Sequence, residues 1–90
     1  MADYSRLMTA IIKKQISIIG KEMAIKIARN VPGIEVDDSG NVKSGGSKAK
    51  LHILVELYKQ TSGEFAVLFA KKAIEPILSG DEDLPDELKS

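Results

Sequence analysis

The sequence predicts a mainly α fold: a small helical bundle of three to four helices, with a short β-hairpin or extended excursion near residues 34–43. Three observations predict it. Apolar residues recur at helical spacing through most of the 90 residues. Glycine, proline and capping residues interrupt those runs at intervals suited to short helices. A stretch of eight residues, Glu22-Met23-Ala24-Ile25-Lys26-Ile27-Ala28-Arg29, returns as Glu64-Phe65-Ala66-Val67-Leu68-Phe69-Ala70-Lys71 at a constant offset of 42. The two copies agree in chemical type everywhere except Lys26 against Leu68.

The first segment is helical. Tyr4, Met8, Ile12, Ile16, Ile19, Met23 and Ile27 follow helical spacing, and Leu7, Ile11 and Ile18 widen the stripe. Asp3 or Ser5 can cap its start. Gly20 can end one helix or weaken a longer one. The stripe keeps its phase across Gly20, and no Ser, Thr, Asp or Asn stands directly before Glu22. Both points favour one long helix, kinked at Gly20. Asn30, Pro32 and Gly33 end it.

Ile34 and Val36 then alternate with Glu35 and Asp37, a turn-rich cluster from Asp37 to Asn41 follows, and Val42 closes the excursion. Two strands this short are unstable alone, so they must pack on the helices or pair with a second copy. Lys43 to Gly46 reads as a flexible loop. Ser47 is a candidate N-cap for a third helix with the stripe Leu51, Leu54, Val55 and Tyr58. That helix breaks over Gln60 to Gly63. Thr61 and Glu64 have capping-box spacing, which starts a fourth helix there, carrying Phe65, Leu68, Phe69, Ala73 and Ile77. Pro76 kinks or closes it. From Ser79 the chain turns polar and acidic. Residues 1–78 therefore read as a single helical domain, and residues 79–90 as an acidic, flexible tail. Leu84 and Leu88, at i and i+4, leave room for a small docking helix.

Each copy of the repeated stretch holds Ala-x-x-x-Ala on one helix face (Ala24 and Ala28, Ala66 and Ala70). Small residues four apart let a second helix approach closely. These alanines, with Ile27 and Phe69, are the candidate helix-packing or dimer contacts. One explanation is a duplicated helical unit whose two Ala faces meet across a pseudo-twofold axis. The other is convergence, since amphipathic helices draw on few residue types.

Composition narrows the function. The chain is one small domain, with hydrophobic residues at 43%, enough for a globular core but a thin one that oligomerisation would help. It has no cysteine, which removes disulfides, thiolate metal sites and cysteine nucleophiles. With no basic-then-apolar leader pattern and no apolar run of the roughly 20 residues that span a bilayer, the expectation is a cytoplasmic protein without a membrane association. Charge is balanced overall but not along the chain. Residues 1–30 carry six Lys or Arg against two acids, and residues 61–90 carry three against seven, so the two ends attract each other.

Candidate chemistry is sparse. His52 is the single histidine, and Glu56 at i+4 is its sole local carboxylate, so it reads as a surface or core-edge residue rather than a metal ligand. No catalytic set, metal site or cofactor is expected, and the chain does not read as an enzyme. Gly45, Gly46, Ser47 and Lys48 form a candidate anion loop opening a helix, although they do not match the phosphate-loop pattern G-x-x-x-x-G-K-[ST]. Lys13, Lys14, Lys21, Lys26 and Arg29 give the first segment a basic side that could contact phosphates. The pI of about 6.6 argues against a nucleic-acid partner. A carrier of a small apolar ligand would use a cavity lined by Met8, Met23, Phe65 and Phe69. The favoured expectation is a non-enzymatic protein–protein interaction or regulatory module. Its partners would be itself, as a homodimer, and another protein.

Overall fold

A computed structural model describes residues 3–89. Over them the chain forms α1 (Tyr4–Ile19), α2 (Lys21–Ala28), β1 (Glu35–Val36), β2 (Val42–Ser44), α3 (Lys48–Ser62) and α4 (Phe65–Ile74), then 3₁₀ turns at Glu75–Ile77 and Asp86–Leu88. The expected mainly helical bundle with a small hairpin is what forms. Asp3 caps α1 by accepting the Arg6 N–H, and Ser47 caps α3 by accepting the Lys50 N–H.

α1 and α3 lie side by side and parallel. At their starts, a Cβ on Gly46 would sit 2.5 Å from the Ser5 nitrogen, so only glycine fits there. At their ends, the Ser62 hydroxyl lies 3.5 Å from Gln15 Oε1. α2 leaves the Gly20 corner and returns along the pair, because the chain just after it reaches the start of α3, where Lys50 Nζ donates to the Pro32 carbonyl. α4 leaves the Gly63 corner and also returns, and its continuation reaches Tyr4 and Lys48. The molecule thus has a corner end and a start end.

Gly20 splits the first segment rather than kinking it. Its backbone sits at φ 92°, ψ 155°, and Gly63 sits at φ 63°, ψ −150°. This region is essentially closed to residues with a Cβ. Such a residue cannot continue a helix, and the helical phase restarts after it. That is why Met23, placed on the apolar stripe by spacing, is exposed, while Ile18 is exposed at the open end of α1. The buried face of α1 is Leu7, Met8, Ile11, Ile12 and Gln15. The expected cap at Thr61 also gives way. α3 runs through to Ser62, and α4 begins at Phe65 without a side-chain cap bond.

The hairpin pairs Glu35 with Ser44 and Val36 with Val42, with an irregularity between them. Asp37 builds its turn. One carboxylate oxygen accepts the N–H groups of Ser39 and Asn41, each at 2.9 Å, and the other accepts the Asn41 amide at 3.0 Å. The backbone bond from Asn41, then that residue's side chain, hold the Asp37 carboxyl down to about 2. The Val42 N–H donates to Thr9 Oγ1 at 2.9 Å, which pins the hairpin to α1. Two strands too short to stand alone are held by the helix beneath them.

The acidic segment after Ser79 departs from the expected free tail. Leu84 and Leu88 are 8% and 3% exposed and join the core. The Tyr4 hydroxyl donates to the Asp83 carbonyl at 2.7 Å, and Lys48 Nζ meets the Asp83 carboxylate at 3.0 Å. The Glu82 carboxylate accepts the N–H groups of Ser79 and Gly80, which rounds the turn into this segment. Ser90, the last residue of the expected tail, lies outside the described residues.

Candidate functional site

The repeated stretch places its residues alike in both copies. Ala24, Ala28, Ala66 and Ala70 are all buried, Ile27 and Phe69 are half-buried, and Met23 and Phe65 face outward. Each copy is the return helix after a glycine corner. The two Ala faces do not meet as a pair: α2 and α4 each pack chiefly on α1 and α3. The small side chain of Ala24 lets Tyr58 approach, and the Tyr58 hydroxyl donates to the Ala24 carbonyl at 2.7 Å inside the core. Burial pushes the Tyr58 phenol well above its ordinary value of 10.0.

The outward positions lie close to the two glycine corners in sequence, although Leu68 also lines a groove with Leu78 and Leu88. Among the described residues, the large hydrophobics left exposed are Ile18 at 40%, Met23 at 48%, Phe65 at 65% and Leu68 at 45%. Ile18 and Met23 flank Gly20, and Phe65 and Leu68 follow Gly63. Because α1 and α3 are parallel, both corners lie at one end of the molecule. The Phe65 and Phe69 rings stack with centroids 6.1 Å apart, so the aromatic surface there is pre-arranged. Lys21, Glu22 and Glu64 stand exposed around this apolar end. Gln15 lies buried just inside it, and its Nε2 has no hydrogen-bond partner among the described residues.

The other candidate residues are dispersed. Lys21, Lys26 and Arg29 line a shallow surface groove of about 680 Å³, shared with Glu22 and Asp38. Lys13 and Lys14 lie on α1, away from that lining. Arg29 acts within the fold. Its Nε and Nη2 donate to the Val36 carbonyl at 3.2 and 3.0 Å, and Nη2 also reaches Asp38 at 3.0 Å, tying α2 to the hairpin. The glycines of the candidate anion loop serve close packing. A Cβ on Gly45 would sit 2.9 Å from the Ile34 Cα, and Gly46 abuts Ser5. Ser47 caps its own helix, and Lys48 is paired with Asp83, whose carboxylate raises the lysine above its ordinary value. The residues of the candidate ligand cavity do not gather either: Met8 is fully buried, whereas Met23 and Phe65 face solvent.

Sequence reasoning missed one juxtaposition. His52 on α3 meets Glu87 of the C-terminal segment, Nδ1 to Oε1 at 2.5 Å, with Glu56 beside them. No spacing signal connects residues 35 apart in sequence. Compared with protein-family models, curated proteins and solved structures, the chain matches none. No helix among the described residues is long and apolar enough to cross a membrane.

Proposed function

We propose that the protein is a non-enzymatic interaction module that pairs with a second copy of itself through the corner end. The observation that carries this reading is the exposure of Ile18, Met23, Phe65 and Leu68, each within five residues of a glycine corner. Single exposed hydrophobics are ordinary on a protein surface, so the reading rests on several large ones near the same two corners. A standard interface covers about 800 Å² per partner. On a molecule with 5096 Å² of surface that is roughly a sixth, so the contact must extend from these four side chains onto the charged rim. The rim carries both signs, with Lys21 beside Glu22 and Glu64 nearby. A twofold pairing sets each sign against its opposite, which favours a second copy over a partner of one charge.

Nucleic-acid binding has less support. Two carboxylates share the groove with Lys21 and Lys26, and Arg29 is engaged with Val36 and Asp38. Light scattering at tens of micromolar tests the pairing. A dimer is expected for the native chain, and a monomer for Met23→Asp combined with Phe65→Asp, at unchanged helical content. A monomeric native chain refutes the reading.

A further inference from the structure

We propose that His52, Glu56 and Glu87 bind a divalent first-row transition-metal ion, and that the ion clips the C-terminal segment to α3. His52 and Glu56 stand one turn apart on a single face of α3. Glu87 comes from the 3₁₀ turn Asp86–Leu88, which the buried Leu84 and Leu88 hold against the bundle. One ligand atom from each of the three residues lies within 4.8 Å of the others. A tetrahedral ion with bonds of about 2.0–2.1 Å sets its ligand atoms about 3.3 Å apart. The widest separation therefore closes by about 1.5 Å, within reach of rotamer adjustment in half-exposed side chains, while the 2.5 Å contact from His52 to Glu87 opens by somewhat less.

Electrostatics favour a cation at this point. Two carboxylates this close repel each other, and an exposed His–Glu pair contributes little by itself. Asp86, next to Glu87, is already paired with Lys89 at 3.3 Å, so the two glutamates carry the uncompensated charge. Lys59 lies 3.8 Å from Glu56 but equally 3.8 Å from Glu64, so it can give up Glu56 and keep a partner. Lys48 is held by Asp83. One imidazole with two carboxylates suits Zn²⁺, Co²⁺ or Ni²⁺, whereas Mg²⁺ and Ca²⁺ prefer all-oxygen sites. The surface groove lined by Lys48, Ala49, His52, Pro85, Asp86 and Glu87 leaves an open side for water or an added ligand. Because the ligands come from two chain elements, binding couples to docking of the C-terminal segment.

The full chain, stripped with a chelator, is titrated with Zn²⁺ alone by calorimetry and followed by thermal melting, with Mg²⁺ in parallel. Saturable binding of one Zn²⁺ per chain is expected, with the melting midpoint raised by about 10–20 °C at a hundredfold excess over Kd. Zn²⁺ also slows amide exchange in residues 84–88. His52→Ala and Glu87→Gln each weaken binding at least about 100-fold, since even losing a residue that only supports a ligand costs about 10–100-fold. If Glu87→Gln undocks the segment without metal, Glu56→Gln replaces it, as Glu56 lies on α3 itself. Absent Zn²⁺ binding, an equal response to Mg²⁺, or undiminished binding in His52→Ala overturns the proposal. The site lies about ten residues, or roughly 15 Å, along α3 from the corner end. Metal binding that survives Phe65→Asp therefore separates this result from the dimer test.

Discussion

The two ends of the parallel α1–α3 pair are treated in opposite ways. At the start end the chain covers itself. Leu84 and Leu88 enter the core, Tyr4 and Lys48 hold Asp83, and Glu87 reaches His52. At the corner end no segment among the described residues returns, and Ile18, Met23, Phe65 and Leu68 stay in solvent. Residue type does not explain the difference, since leucine appears in both places. Direction does. Both return helices run away from the corners, so the C-terminal segment emerges at the start end and covers that one.

The largest test of this contrast is Leu88→Ala against Phe65→Ala. Denaturant unfolding at a concentration dilute enough to keep the chain monomeric should show a loss of about 2–5 kcal/mol for the first and less than about 0.5 kcal/mol for the second. Equal losses would erase the distinction between a covered end and an open one. Next, Ala28→Leu and Ala70→Leu should each cost about 1–3 kcal/mol by overpacking, because both alanines face the α1–α3 layer with almost no exposure. Unchanged thermal stability in both variants would sink the close packing of the repeated stretch.

Tyr58→Phe sharpens the corner-end interior. It removes the hydroxyl's bond to the Ala24 carbonyl, which keeps its place in the helical ladder of α2, and should cost about 0.5–1.5 kcal/mol at neutral pH. The Tyr58 phenol is raised on folding, so native stability should also decline as pH climbs past 10.0, and Tyr58→Phe should lose that alkaline limb. The smallest effect concerns the hairpin turn, which belongs to neither end. The folded Asp37 carboxyl is depressed from 3.8 to about 2, so its contribution is present above the unfolded value and fades as pH falls towards the folded one. Stability measured across that window should flatten in Asp37→Asn.

Much of the fold is legible along the chain because it rests on local physics. Asp3 and Ser47 cap helices, Pro76 closes one, Asp37 to Asn41 forms a turn, and Ala24, Ala28, Ala66 and Ala70 mark buried faces. Gly20 misleads because spacing cannot reveal a φ of 92°: the stripe stays in phase across it on paper while the backbone turns the corner. The candidate sites were least legible. Lys48, Arg29, Gly45 and Gly46 have the composition of binding groups, yet Asp83, Val36, Ile34 and Ser5, all distant in sequence, draw them into the fold.

The sequence by itself determined that this chain is helical, where its helices cap, and which small residues they share, because propensity, capping and periodicity act within a turn or two. Only the tertiary structure decided that α1 and α3 run parallel and that the two glycine corners fall at one end of the molecule. It also decided that Glu87 comes to His52. Those outcomes depend on which helices bury their faces against each other, and that is settled by the whole core at once rather than by any stretch within it.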